Sequence, residues 1–250
     1  MLWYKAWLDT RGRFLIGLVL LVLSAAGIVA GFPQVQRFGV VKLDPNDPLY
    51  RSLSDALELS RTFRGFVWHE WFRQNALNLG ALFAALLGTS HMFSSSRRGL
   101  LFTLSLPASR RRWFATRAAT GLAELLALMV VPSLVIPVLG AAIGQPYSIG
   151  EGLVHALCGF AGVATFFGLA LLLSTIFQDT WRPILIVCLA AVCVSFFEFI
   201  VPDSFGIFRV LSAEDYFRGG SLPWTGLGLF VVAGAALIYA AAHQIERLDF

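Results

Sequence analysis

Apolar residues in this chain come in long, nearly unbroken runs, not in the alternation of strands or the narrow stripes of soluble helices. Six runs approach or reach the roughly 20 residues a helix needs to cross a hydrocarbon core. They lie near residues 14–31, 76–93, 118–143, 153–177, 183–201 and 223–242. Each predicts a transmembrane helix, so the expected fold is an all-α membrane protein, one six-helix bundle over residues 1–250. The second run is the least apolar, since it contains Asn78, Ser90 and His91. The third carries Pro132 and Pro137, which predict a kink or interruption. The first reads as a span and not as a cleaved leader: its apolar stretch is longer than a signal usually has, and Ile28-Val29-Ala30 is a poor cleavage site.

The segments between the runs are also patterned. In the outer segment, residues 32–75, Pro33, Pro45 and Pro48 break the first half. From Leu49 onward, Leu53, Leu57, Phe63, Val67 and Trp71 recur at about one or two helical turns. This predicts an amphipathic helix on the outer surface, or an extension of the second span. Arg51, Asp55, Glu58, Arg61 and Arg64 exclude a further crossing. Trp3 and Trp7, at i and i+4, predict a short N-terminal amphipathic helix along the inner membrane surface.

Composition agrees with a bilayer as solvent. Hydrophobic residues make up 57% of the chain and charged residues 14%, against about 25% charged in soluble domains. The placement of charge sets the orientation. Residues 94–117 hold Arg97, Arg98, Arg110, Arg111, Arg112 and Arg117 and no acidic residue, so this loop is expected in the cytoplasm. Lys5, Arg11 and Arg13 put the N-terminus on the same side, and six crossings return the C-terminus there. The expected location is a cell membrane, multi-pass, of the bacterial inner-membrane kind. Tryptophan prefers the headgroup level; Trp113 and Trp181 mark cytoplasmic boundaries, and Trp68, Trp71 and Trp224 outer ones. The basic residues cluster beside apolar spans instead of on a soluble face, so nucleic acid is not an expected partner.

No catalytic or metal-binding constellation is read from the residues. A phosphate-binding loop needs a glycine-rich turn ending in Gly-Lys, and the two lysines, Lys5 and Lys42, do not follow glycine. ATP and magnesium are therefore expected only in a partner chain. His69-Glu70 lacks a second histidine at position 73, which is arginine. Ser90 and His91 are sequence neighbours, which do not face each other on a helix. Cys158, Cys188 and Cys193 have no paired spacing and read as small packing residues. Glu124, His155 and Glu198 are the ionisable groups in or near spans, and an intramembrane carboxylate is a functional candidate by default. Glu198 lies near the outer end of its run. Glu124, about two turns in from the cytoplasmic end, reads either as an ion-pair partner of Arg117 or another arginine, or as a group in a transport path.

Residues 94–117 read SSSRRGLLFTLSLPASRRRWFATR. Leu100, Leu101, Phe102, Leu104 and Leu106 between two arginine clusters are too apolar for a solvated loop, and predict a short amphipathic helix ended by Pro107. The stretch Arg98-Gly99 … Leu104-Ser105-Leu106-Pro107-Ala108-Ser109-Arg110 resembles the signature loop of ABC-2 type transporter permeases. There, a charged stretch and a glycine precede a run ending in Leu-Pro, followed by small residues and arginine. The resemblance extends to the N-terminal surface helix, the six spans and the charged tail Glu246-Arg247-Leu248-Asp249-Phe250. It implies a transmembrane subunit of an ATP-driven exporter, non-catalytic itself, paired with a second permease subunit (identical or different) and docked on cytoplasmic ABC ATPase subunits. The coupling residues it implies are Arg98, Gly99, Leu101, Phe102, Leu104, Leu106, Pro107 and Arg110. Apart from the resemblance, the residues leave open an ion-coupled carrier or a membrane scaffold without an ATPase partner.

Overall fold

The computed structural model of the chain describes residues 2–37, 58–89, 110–177, 179–200 and 206–247. Among these residues the protein is helical, with no strand. The helices are α1 (Leu2–Arg37), α2 (Phe63–Val67), a π-helical segment (Trp68–Asn75), α3 (Ala76–Gly88), α4 (Arg110–Ala142), α5 (Ile149–Ile176), α6 (Trp181–Ile200), α7 (Ile207–Leu211), α8 (Glu214–Phe217) and α9 (Trp224–Arg247). The described residues of each of the six apolar runs fall largely on a helix. Four helices, α1, α4, α5 and α9, are long and apolar enough to cross a membrane, and α6 is a shorter apolar helix.

The N-terminal surface helix is not a separate element. Residues 2–13 run without a break into the apolar stretch, so α1 is one helix of 36 residues. Nothing in that junction stops a helix: there is no proline, and the single glycine, Gly12, costs only about 1 kcal/mol. Pro33 does not end it either. It lies inside the helix, where its ring removes one backbone hydrogen bond, to the carbonyl four residues back, and the helix continues to Arg37. Pro132 and Pro137 likewise lie inside a continuous α4. The helix of the outer segment is an extension of the second run: α2, the π-helical segment and α3 follow one another from residue 63 to residue 88. Residues 110–117, expected as loop, form the first two turns of α4. The rest of the expected coupling helix lies outside the described residues.

α5 sits at the centre, packed against α9, α3, α4 and α6, while α1 lies along α4. One stripe of α1 (Leu21, Ala25, Val29, Phe32) is buried, and Leu15, Ile16, Val19, Leu20 and Leu23 are exposed. A helix with an exposed apolar face is arranged for a lipid surrounding, or for another apolar surface. α3 approaches α5 closely. A Cβ on Gly88 would lie 2.6 Å from the Ala170 Cβ and 3.1 Å from the Phe167 carbonyl oxygen, so only glycine lets the two backbones meet there.

Tryptophans divide into two kinds. Trp3, Trp181 and Trp224 are exposed, as membrane-boundary residues should be. Trp68 and Trp71, expected at an outer boundary, are fully buried. Their indole N–H groups explain how: each finds an acceptor inside the protein. The cysteines are free, and of the three Cys158 alone is buried; Cys193 is exposed.

Candidate functional site

Two polar layers interrupt the apolar interior, one at each end of the bundle. The first lies where α1 and α4 begin and α3 ends, the end to which residues 90–109 attach. Arg13 of α1 donates from Nη1 to the Leu86 carbonyl, 2.6 Å away, in the last turn of α3. Carbonyls there have no helical partner, and the helix dipole favours a cation beside them. Thr89 closes the same turn, its hydroxyl donating to the Ala85 carbonyl at 2.7 Å. On the same face of α1, Asp9 pairs with Arg117 of α4 at 3.9 Å, and Arg117 lies over the Trp113 ring at 6.0 Å. About two turns further along α4, Glu124 Oε1 meets the Thr10 hydroxyl at 2.5 Å. Arg117 and Glu124 are 6% and 3% exposed, and buried charges are retained only with partners.

The two readings left open for Glu124 resolve in part. Its hydrogen-bond partner is a threonine; Arg117, close enough to act on it electrostatically, takes Asp9 as its ion-pair partner. Thr10 precedes Phe14, where the apolar run of α1 begins, by about one turn, while Glu124 lies six residues into the α4 run that begins at Ala118.

This layer contains residues that the sequence did not mark as site candidates: Asp9, Thr10 and Arg13, the last read only as an orienting charge. Their only signal was spacing, since 9, 10 and 13 fall on one face of a helix with the buried Ala6. Of the expected coupling residues, Arg98, Gly99, Leu101, Phe102, Leu104, Leu106 and Pro107 lie outside the described residues, and Arg110 opens α4. Glu198 lies in the last turn of α6.

The far-end layer is built around one carbonyl. Ser212 O, between α7 and α8, accepts from Trp68 Nε1 at 3.1 Å and from His155 Nδ1 at 2.8 Å. Because a carbonyl only accepts, Nδ1 carries the His155 proton. Nε2 is then an acceptor, and it is buried without a hydrogen-bond partner among the described residues. The turn that presents this carbonyl is strained: Ala213, the next residue, has φ 52°. Ion pairs close the rim. Arg64 meets Glu151 at 2.9 Å and donates to the Phe217 carbonyl at 3.0 Å; Glu214 meets Arg218 at 2.8 Å and Arg73 at 4.0 Å. Beneath them Phe72 packs on both His155 and Tyr147, with ring centroids 4.9 Å and 6.5 Å away. Burial pushes the Tyr147 phenol well above the usual tyrosine range, and Glu151 adds in the same direction. Its hydroxyl has no hydrogen-bond partner among the described residues.

The π-helical segment places Trp68, Trp71 and Phe72 in this layer. π-helical turns recur at functional sites because the wider turn re-aims side chains and frees a carbonyl. Here Asn75 Nδ2 donates to the Glu70 carbonyl at 2.7 Å. No group of three or more metal-ligating side chains occurs among the described residues.

The arrangement is a bundle of mostly apolar helices, fastened by buried polar contacts at both ends. Compared with protein-family models, with curated proteins and with solved structures, the chain matches none.

Proposed function

We propose that this chain is the membrane-spanning subunit of an ATP-driven exporter of the ABC-2 type. In this reading six helical units cross the membrane: α1, the composite helix from residue 63 to residue 88, α4, α5, α6 and α9. Both termini face the cytoplasm. Residues 94–109 dock on a cytoplasmic ATPase, a second permease chain completes the core, and ATP with magnesium binds only in the partner.

The observation that carries the reading is how the loop with the permease-like sequence is held. Its two ends leave from the layer of buried polar contacts. Thr89 ends α3, whose last turn is held by Arg13. Arg110 opens α4, which is fastened to α1 through Asp9–Arg117 and Thr10–Glu124. A push on the loop is thus delivered to three helices together, as a coupling element requires. A loop that served only to set topology needs no such anchorage.

The test uses the tagged chain purified from its native membranes. Having no phosphate-binding loop, it should hydrolyse ATP only through a co-purifying subunit. The expected result is vanadate-sensitive ATP hydrolysis in the purified material and transport in vesicles that stops when ATP is removed. Transport that ignores ATP depletion and collapses with an ion gradient would show a carrier instead.

A further inference from the structure

We propose that Glu124 stands in the loop-end layer as a neutral carboxylic acid, and that the proton it carries, donated to Thr10, fastens α4 to α1.

The argument is a count of hydrogens. The Thr10 hydroxyl has one hydrogen and three oxygens within reach: Ala6 O at 3.1 Å, Trp7 O at 3.4 Å and Glu124 Oε1 at 2.5 Å. The two carbonyls can only accept. A threonine in a helix ordinarily gives its hydrogen to the carbonyl four residues back, here Ala6. If it does, the bond between Thr10 and Glu124 needs a hydrogen from Glu124. The chain Glu124 Oε1–H to Thr10 Oγ1, then Thr10 Oγ1–H to Ala6 O, uses each hydrogen once and satisfies each contact.

The other oxygen points the same way. Glu124 Oε2 is buried and has no hydrogen-bond partner among the described residues. An ionised carboxylate would leave a charged oxygen bare there, which costs far more than a bare carbonyl oxygen. The surrounding charges are already engaged. On its own helix, Arg117 pairs with Asp9 of α1. Arg13 of α1 is directed to the Leu86 carbonyl. α3 carries no charged residue, and the ionisable residues of α5, Glu151 and His155, belong to the layer at the far end, where Glu151 pairs with Arg64. At the matching end of α9, His243 and Glu246 are exposed and 4.0 Å apart.

The test is infrared spectroscopy of the full-length protein in lipid nanodiscs near neutral pH, in water and in deuterium oxide. The expected result is a carboxylic-acid C=O band that shifts in deuterium oxide, disappears in Glu124→Gln, and moves to higher frequency in Thr10→Val, where its acceptor is gone. Glu124→Gln should fold normally, because a neutral amide can donate to Thr10 in the acid's place. A band pattern unchanged by Glu124→Gln would overturn the assignment. Failure of Glu124→Gln to fold would overturn it too, since it would show that the charge is needed. Neither readout depends on an ATPase or on transport, so the result stands apart from the proposed function.

Discussion

Arg13, at the start of the apolar run of α1, donates to the carbonyl of Leu86 at 2.6 Å and so ties the first helix of the chain to the C-terminal turn of α3. The bond replaces the helical partner that this carbonyl lacks and sets a cation at the negative end of the helix dipole. It also crosses between two helices far apart in sequence, so it carries load when either moves.

Arg13→Gln should therefore lower stability. Hydrogen bonds to charged groups contribute about 1.5–3 kcal/mol, and the lower end applies here because Arg13 is only half-buried. The check is thermal unfolding in detergent, with Arg11→Gln, an exposed arginine two residues earlier, as the control that should leave it nearly unchanged. An equal loss in both variants would show that net positive charge matters and that the bond to Leu86 does not.

Gly88→Ala tests the close approach of α3 and α5. The new methyl would stand 2.6 Å from the Ala170 Cβ, which is rigid, so the helices must separate. Overpacking of this kind costs about 1–3 kcal/mol. Adding Ala170→Gly should restore part of the loss, because it removes the nearer of the clashing atoms. Thermal unfolding of the single and double variants measures both steps, and an absence of rescue would place the strain at the Phe167 carbonyl instead.

Tyr147 gives a pH prediction. Its phenol is buried and held above its ordinary value of about 10. A raised folded-state pKa means stability that is full below the unfolded value and is lost as pH rises through and beyond it. Wild-type stability should thus fall above about pH 10 more steeply than that of Tyr147→Phe. At neutral pH the variant should be as stable as wild type or slightly more so, since it removes a buried hydroxyl without a partner. Parallel pH profiles for the two proteins would contradict this.

The sequence revealed the helices because apolar run length is a one-dimensional property. The described part of every run fell largely on a helix, and of the two forms expected for the amphipathic stretch around Phe63–Trp71 the extension of the second run is the one found. The π-helical segment was not. A π-turn differs from an α-turn by under one residue, so Trp68, Trp71 and Phe72, three and four apart, read the same in either. Trp68 and Trp71 were assigned to a membrane boundary because their acceptors, Ser212 O and Ser133 Oγ, lie 144 and 62 residues away. Glu124 was marked as a candidate from its place in an apolar run, while Thr10 was passed over: a threonine in a helix carries no signal until the fold brings a carboxyl to it. Pro33 misled because a proline removes one backbone hydrogen bond without necessarily ending a long helix, as Pro132 and Pro137 also show.

The central claim is that residues 94–109 couple the helices to an ATPase, and their apolar side chains test it most directly. Burying a large apolar side chain contributes about 1.5–3 kcal/mol, and about 1.4 kcal/mol corresponds to a tenfold change in affinity. The measurement is affinity of the purified ATPase subunit for the chain in nanodiscs, for wild type, Phe102→Ala and Leu104→Asp, with insertion confirmed for each. Docking one to two orders of magnitude weaker in both variants, with transport lost in Leu104→Asp, is the predicted result. Normal docking and normal transport in Leu104→Asp would contradict the account.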